Sequence, residues 1–274
     1  MVAQRPPQTN LEKTLFQGIY YRREFQPLPR PVMLHIVEID LTAPGVQALV
    51  TPGRAASDSR ELNARTTSEF LQEFKLQVAV NANFFYPFEE ESPWSYFPHS
   101  GDRVNAVGLA LSNGNQYSPA ESNWAALCLR SHHAQIVAKG ECPKGTMQAV
   151  AGSAMIVAAG KPTVLKPGTA DGEGIYSRTA VAVDRRGEKL WLIAVDDKQW
   201  LYSEGVTFAE LAQIATQLGA DAAVNLDGGG STTLVVDTQA GTAVINSPVH
   251  TKIPMRERPV ANHLGFYARP MKSP

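Results

Sequence analysis

The sequence has no excess of charge of either sign, only two cysteines and no long hydrophobic run. Its 274 residues carry 25 Lys+Arg and 26 Asp+Glu, for a net charge of -1, which gives no electrostatic basis for binding nucleic acid. No apolar run is long enough for a membrane-spanning helix. Residues 1–10 are polar and contain proline, unlike a secretory signal peptide. We therefore expect neither a nucleic-acid partner nor membrane insertion of this chain.

The two cysteines, Cys128 and Cys142, do not form a CxxC pair and lack any spacing typical of a zinc site. They fit either a disulfide in an exported protein or two reduced, partly buried thiols. Both interpretations make them structural residues rather than catalytic ones. Neither predicts an oligomeric state.

Many short apolar segments rich in β-branched residues alternate with turns, which is typical of strands. Two helices have clear start signals, because Thr66 and Thr207 are each followed three residues later by glutamate in a capping box. The sequence thus predicts an α+β fold, with one domain over residues 17–270 that holds a mixed, mostly antiparallel sheet and a few helices. Residues 1–16 are polar and predict a flexible N-terminal arm.

Three consecutive glycines, Gly228–Gly230, follow a predicted strand that ends in Asp227. Glycine runs are costly in regular elements and suit positive φ or close approach of another group. The stretch lacks the Gly-Lys-Ser/Thr ending of a P-loop, and no helix is predicted after it. It predicts strand, tight turn, strand. Asp227 is then either a reactive carboxylate beside bare backbone N–H groups or simply the cap of the turn.

Other polar side chains also stand at predicted strand ends, and the ends on one rim of a sheet can converge. They are Asn81, Asn83, Arg178, Asp196, Asp227, Arg258 and Asn262. The longest irregular segment, residues 86–103, predicts a binding loop or lid. Its acidic triplet Glu89–Glu91 reads as a solvated run, although a site for a hard cation stays open.

Taken together, these motifs resemble the phosphodiester glycosidase family from about Gly18 to Tyr267. The matching pieces are Asn81-Ala82-Asn83-Phe84-Phe85, Arg178-Thr179-Ala180, Val195-Asp196-Asp197, Gly205-Val206-Thr207 with Glu210-Leu211-Ala212, Asn225–Ser231, and Arg258-Pro259-Val260-Ala261-Asn262. The sequence departs from the expected pattern at Asp197 and Lys198, where glycine and often arginine are expected.

The resemblance implies hydrolysis of a sugar-1-phosphodiester bond, in a surface polysaccharide or a teichoic-acid-like polymer. It implies Asp227 as the leading catalytic carboxylate and Asp196 as the second, with Arg178 and Arg258 as a phosphate clamp. Asn83 and Asn262 would orient the sugar. The remaining substrate-binding residues are Asn81, Lys198, Asn225, Gly228, Gly229, Gly230, Ser231 and Thr232.

Two alternatives stay open. One is a metal-assisted phosphodiesterase that cleaves the P–O bond, and the other is a non-catalytic glycan-binding or exopolysaccharide-assembly protein. The glycosidase requires no cofactor, while a divalent cation, Ca²⁺ or Mg²⁺, remains an option. The resemblance favours an exported or cell-surface protein whose leader has been removed, with the cytoplasm as the alternative.

Overall fold

The structure, a computed structural model, describes residues 4–54, 61–163 and 174–271. In these described ranges, strands make up 45% of the residues and helices 8%. The prediction of one domain with mostly antiparallel sheets is confirmed, whereas α+β overstates the helix content of a β-rich fold. No helix in the described ranges is long and apolar enough to cross a membrane.

The strands in chain order are β1 (Leu11–Phe16), β2 (Ile19–Gln26), β3 (Val32–Asp40), β4 (Gln47–Val50), β5 (Leu62–Asn63), β6 (Val78–Asn81), β7 (Phe85–Tyr86), β8 (Glu89–Glu90), β9 (Tyr96–Phe97), β10 (Arg103–Ala106), β11 (Ala110–Ser112), β12 (Asn115–Ser118), β13 (Ala125–Arg130), β14 (His133–Val137), β15 (Gln148–Gly152), β16 (Ala154–Ala158), β17 (Lys161–Pro162), β18 (Arg178–Val183), β19 (Lys189–Val195), β20 (Ala222–Asn225), β21 (Leu234–Thr238), β22 (Gly241–Val244), β23 (Val249–His250), β24 (Ile253–Pro254) and β25 (His263–Tyr267). The described helices are α1 (Thr67–Phe74), α2 (Phe208–Gln217) and the short 3₁₀ helix Gly229–Ser231.

Three antiparallel sheets enclose the main core. Their orders are β1-β2-β3-β19-β18-β20-β16-β17, β22-β21-β6-β25-β4 and β12-β11-β15-β13-β14. Val224 of the first sheet, Val80 of the second and Leu127 of the third belong to the same buried apolar cluster. Each such side chain contributes about 1.5–3 kcal/mol when removed from water. The shared cluster explains why the sheets form one domain.

The N-terminal arm is shorter than predicted. Leu11 pairs with Arg23, and the whole of β1 forms the edge of the first sheet. The side chains of β1 are mostly exposed, so no apolar pattern signalled the strand, whose pairing is made by the main chain. Before it, Gln8 donates a hydrogen bond to the carbonyl of Leu201 at 2.8 Å. Residues 1–3 of the predicted arm lie outside the described residues.

Both predicted capping boxes are present, at Thr66 and at Thr207. Helix α2 packs Phe208 and Leu211 against the face of the first sheet that turns away from the main core. After α2 the chain turns at Gly219, with a φ of +89°, as the sequence predicted. Helix α2 and the main core therefore cover opposite faces of the first sheet.

Two segments that carry apolar residues are interrupted where the chain passes from one sheet to another. The segment 148–158 is split into β15 and β16 next to Gly152. A Cβ at this glycine would lie 2.0 Å from the carbonyl oxygen of Asn225, so only glycine fits. The segment 104–111 is divided between β10 and β11 in the same way near Gly108, which has a φ of +80°. The last strand begins at His263, and the preceding residues 256–262 are not in a strand.

A disulfide joins Cys128 of β13 to Cys142. This decides between the two interpretations of the cysteines, which are oxidised and not free. The bond closes a loop with a sequence separation of 14 residues. Loops of this length reduce the entropy of the unfolded chain enough to give about 3 kcal/mol of stability.

We expect the double variant Cys128→Ser/Cys142→Ser to lose up to about 3 kcal/mol of unfolding free energy. Denaturant unfolding of both proteins, with and without a reducing agent, measures this loss. The reductant should destabilise the unmodified protein and leave the double variant unchanged. Equal stability of the two proteins without reductant would contradict the disulfide.

Candidate active site

Asp227 lies two residues beyond the end of β20 and is held there by its backbone. Its N–H donates to the carbonyl of Ala82 at 2.9 Å, and its own carbonyl accepts from Asn81 Nδ2 at 2.6 Å. Asn81 Oδ1 accepts from the hydroxyl of Thr179 at 3.0 Å and from the N–H of Thr233 at 3.2 Å. Asn81 is fully buried. The predicted substrate ligand Asn81 thus acts as the residue that positions Asp227.

The three glycines after Asp227 form a tight turn that packs closely against its neighbours, which confirms the predicted turn between two strands. A Cβ at Gly228 would lie 2.7 Å from the carbonyl oxygen of Ser177, and one at Gly230 would lie 2.5 Å from Arg258 Nη2. Gly229 has a φ of +60°, and its N–H donates to the Ser177 carbonyl at 3.0 Å. That N–H group is committed to the fold, although we had predicted it as a phosphate donor.

The carboxylate of Asp227 is buried, and three polar groups act on it. Burial raises the pKa of Asp227 to about 6, against the opposing effects of the Ser231 hydroxyl, the Arg258 charge and the Gly228 N–H. The buried carboxylate of Asp227 is therefore more basic than usual yet still ionised at neutral pH. These are the properties expected of a nucleophile or a general base.

Arg258 stands beside this carboxylate and is held by four side chains. Its Nη1 donates to Ser231 Oγ at 3.2 Å and its Nε to His250 Nδ1 at 3.3 Å. Its Nη2 donates to Glu90 Oε2 at 2.5 Å, and its guanidinium lies 4.4 Å from the ring centre of Phe88. The hydroxyl of Ser231 hydrogen-bonds to both Arg258 and the carboxyl group of Asp227, so Arg258 lies near Asp227.

His250 and Glu90 belong to this cluster, but the sequence did not single them out as site residues. Burial and the Arg258 charge lower the pKa of His250 to about 4, so the imidazole is neutral and accepts from Arg258. Lys198 also lies close enough to Glu90 to act on its ionisation. No local signal marks His250, and Glu90 sits in an acidic triplet that we had interpreted as solvated.

A second buried carboxyl group, Asp197, lies near the glycine turn. Burial raises its pKa, while hydrogen bonds from the N–H and hydroxyl of Ser177 oppose the shift. Ser177 Oγ also lies 2.7 Å from the carbonyl oxygen of Gly229. The sequence marked Asp197 only as a departure from the family pattern, and the structure places it beside the turn that carries Asp227.

Asp196, the predicted second catalytic carboxylate, lies in a buried network. Its Oδ2 is 3.0 Å from His35 Nε2, and its Oδ1 accepts from Asn246 Nδ2 and from the N–H of Ser247, both at 2.9 Å. His35 Nδ1 lies 2.8 Å from the hydroxyl of Tyr21. Both carboxylate oxygens are thus bonded and their side chain is inaccessible to solvent. A substrate would reach them only by breaking these bonds.

Asn83 and Asn262, the predicted sugar ligands, bind each other and the main chain. Asn262 Nδ2 donates to Asn83 Oδ1 at 3.1 Å, and Asn262 Oδ1 accepts from the Asn83 N–H at 2.9 Å. Asn83 Nδ2 donates to the carbonyl of Val107 at 2.9 Å. Both side chains are fully buried. This geometry gives the pair a structural role, since a sugar would have to displace existing hydrogen bonds.

Arg178, the other half of the predicted clamp, is anchored on the side of the first sheet that α2 covers. Its Nε donates to the carbonyl of Val206 at 3.3 Å and its Nη2 to that of Gly174 at 2.8 Å. Its guanidinium lies 4.0 Å from the ring centre of Phe208. These contacts hold the start of β18 and the start of α2 together, so Arg178 has a structural function independent of any phosphate.

Asn225 and Thr232 are buried on either side of the turn. Asn225 Nδ2 donates to the carbonyl of Leu226 at 2.8 Å and lies 3.2 Å from Ser153 Oγ. The hydroxyl of Thr232 lies 3.2 Å from that of Thr179. Of the predicted substrate-binding residues, Ser231, Arg258 and Lys198 lie in the cluster around Asp227 and Glu90. The buried amides instead form hydrogen bonds within the protein.

Two features of the structure bear on the metal-assisted and glycan-binding alternatives. Within residues 4–54, 61–163 and 174–271, no group of three or more His, Cys, Asp or Glu side chains could hold a metal ion. Trp94 is 85% exposed. Tyr96, in contrast, accepts a hydrogen bond from Arg256 Nη2 at 2.8 Å. Of these two aromatics in the predicted binding loop, only Trp94 is presented to solvent.

The family model for phosphodiester glycosidases matches residues 74–267, a range that contains every residue of the cluster. The chain belongs to the phosphodiester glycosidase family. A comparison with curated proteins gives no match.

Several solved structures share the fold, among them three from different organisms. A hypothetical protein from Synechocystis has a TM-score of 0.61 and 15% identity, and the alignment covers 97% of this chain but only 64% of that one. The catalytic domain of zebrafish N-acetylglucosamine-1-phosphodiester alpha-N-acetylglucosaminidase, auto-inhibited by its pro-peptide, has a TM-score of 0.60 and 19% identity, with coverage of 98% and 87%. A putative exported protein from Burkholderia pseudomallei has a TM-score of 0.56 and 14% identity, with coverage of 86% and 74%.

We expect Asp196→Ala to lower the unfolding free energy by about 3–5 kcal/mol, because it leaves buried partners without their carboxylate. Denaturant unfolding measures the loss, and Glu121→Ala at an exposed position is the control. A variant as stable as the control would show that the buried network does not hold the fold.

Proposed function

We propose that the chain hydrolyses the bond between the anomeric carbon of a sugar and the phosphate of a phosphodiester. The observation that carries this proposal is the buried Asp227 carboxylate, which shares the Ser231 hydroxyl with the Arg258 guanidinium. A reactive carboxylate and a guanidinium charge at one place suit a substrate with an electrophilic carbon next to a phosphate. Family membership supports the same chemistry.

The reaction needs few groups. Water supplies the oxygen that becomes the C1 hydroxyl, the bond from C1 to the phosphate oxygen breaks, and a phosphomonoester leaves. Because a phosphomonoester departs far more readily than a sugar alkoxide, stabilising its charge matters more than protonating it. Arg258 and Lys198 provide that stabilisation. Asp227, ionised above its pKa of about 6, acts on C1 or on the attacking water.

Asp197 is better placed than Asp196 to act as the second catalytic carboxyl group. The oxygens of Asp196 are committed to His35, Asn246 and Ser247. Asp197 instead lies beside the glycine turn, and its raised pKa keeps it protonated over a wider pH range. We assign it to the orientation or protonation of the leaving phosphate oxygen.

The finer identity of the substrate is part of the same proposal. The zebrafish relative is named for N-acetylglucosamine linked as a 1-phosphodiester, and we extend the class, a sugar-1-phosphodiester, to this chain. A surface polysaccharide or a teichoic-acid-like polymer would present such bonds. The disulfide between Cys128 and Cys142 supports an oxidising compartment outside the cytoplasm.

We expect Asp227→Asn to lower kcat on a glycosyl phosphodiester at least about 10²-fold, because it removes the reacting carboxylate. The same change should leave the fold intact and raise the unfolding free energy above pH 6 by up to about 3 kcal/mol. The sign follows from the raised pKa, which shows that the folded protein disfavours the charged carboxylate. Turnover near that of the unmodified protein in a folded variant would refute the assignment.

The pH profile gives a separate check. As the pH falls below the Asp227 pKa of about 6, the carboxylate becomes protonated, so kcat/KM should decrease about tenfold per pH unit. Initial rates at substrate concentrations far below KM give this profile. A constant kcat/KM between about pH 5 and about pH 7 would be incompatible with an ionised Asp227 as the essential group.

A further inference from the structure

The hairpin formed by β8 and β9, residues 88–97, lies over Arg258; we call it the acidic hairpin. Phe88 covers the guanidinium of Arg258 at 4.4 Å, and Glu90 Oε2 accepts from Arg258 Nη2 at 2.5 Å. The Glu90 side chain is 28% exposed, while that of Arg258 is 12% exposed. The group assigned to the substrate phosphate is therefore bound to a carboxylate of its own chain.

A second arginine fastens the other half of the acidic hairpin. Arg256 Nη2 donates to the hydroxyl of Tyr96 at 2.8 Å, and its Nη1 donates to the carbonyl of Pro93 at 2.9 Å and to the hydroxyl of Thr251 at 2.8 Å. The ring of Tyr96 also packs edge-on against His250 at 4.7 Å. These contacts fix the hairpin independently of Glu90, so Glu90 is held at the site by more than its own ion pair.

Glu90 brings a negative charge to this cluster. Burial opposes its ionisation, but Arg258 and Lys198 hold the pKa of Glu90 below its usual value. His250 Nδ1 lies 3.4 Å from Glu90 Oε2. The carboxylate is therefore ionised throughout the range in which Asp227 is ionised, and any anion bound to Arg258 is close to it.

We propose that Glu90 is a specificity-determining residue that makes the site favour singly charged phosphodiesters over doubly charged phosphomonoesters. The inference rests on the proposed function, in which Arg258 and Lys198 receive the phosphate. A diester carries one negative charge and a monoester nearly two at neutral pH. Because repulsion is proportional to charge, Glu90 penalises the monoester about twice as strongly in free energy. Without Glu90, the preference of the site would shift towards the monoester.

This discrimination has a consequence for turnover. Hydrolysis at C1 converts a singly charged diester and water into a neutral sugar, a phosphomonoester of higher charge and a released proton. The product then meets more repulsion from Glu90 than the substrate did, so it leaves the site more readily. A glycosyl phosphate with a free phosphate end is disfavoured for the same reason, and the enzyme is directed to phosphates that are esterified on both sides.

The test compares two small anions of similar size, methyl phosphate with two charges and dimethyl phosphate with one, at about pH 8. Calorimetry gives their affinities for the unmodified chain, Glu90→Gln and Glu89→Gln. The matched control Glu89 is the neighbouring exposed residue of β8, and adjacent side chains of a strand point to opposite faces. Glu90→Gln should increase the affinity for methyl phosphate at least about tenfold more than that for dimethyl phosphate.

An equal gain for both anions, or no gain for either, would overturn the inference. Glu89→Gln should leave the ratio of the two affinities unchanged, and a shift as large as that of Glu90→Gln would also overturn it. Glu90→Ala is a second variant that should show the same split. Binding is measured without turnover, so a charge-selective site that fails to hydrolyse glycosyl phosphodiesters would refute the proposed function and leave the role of Glu90 intact.

Discussion

The amide of Asn81 is the constraint on which the site depends. It lies at the end of β6 in the second sheet, accepts hydrogen bonds from Thr179 of the first sheet and from Thr233, and donates to the carbonyl of Asp227. A buried amide with unmatched donors or acceptors costs about 1–3 kcal/mol per group. A different packing of the two sheets at this point would leave these groups without partners. The observed packing therefore sets the position of Asp227.

The other buried polar groups near the strand ends divide into two kinds. Asn83, Asn262 and Asp196 complete their hydrogen bonds within the protein, and they define where the chain segments meet. Asp227, by contrast, has a raised pKa of about 6 and shares Ser231 with Arg258. The proposed hydrolysis thus depends on a few groups at the glycine turn, while the surrounding amides keep that turn in place.

Features that depend on residues close together in the sequence were predicted, and those that depend on distant residues were not. Both capping boxes and the glycine turn were predicted, because a few neighbouring residues determine them. The ion pair between Glu90 and Arg258 spans 168 positions, and nothing local distinguishes Glu90 from the exposed Glu89. Asn81 and Asn225 were placed at strand ends correctly, but the direction of their side chains depends on how separate sheets pack. The edge strand β1 was missed because main-chain pairing alone forms it.

The central claim is that the bond broken lies between the sugar carbon and the phosphate oxygen. Hydrolysis of the methyl phosphodiester of N-acetylglucosamine 1-phosphate in ¹⁸O-labelled water tests it most directly, with mass spectrometry of both products. The account predicts label on the C1 hydroxyl of the sugar and none in methyl phosphate. Label in the phosphate product would show cleavage of the P–O bond and contradict the account.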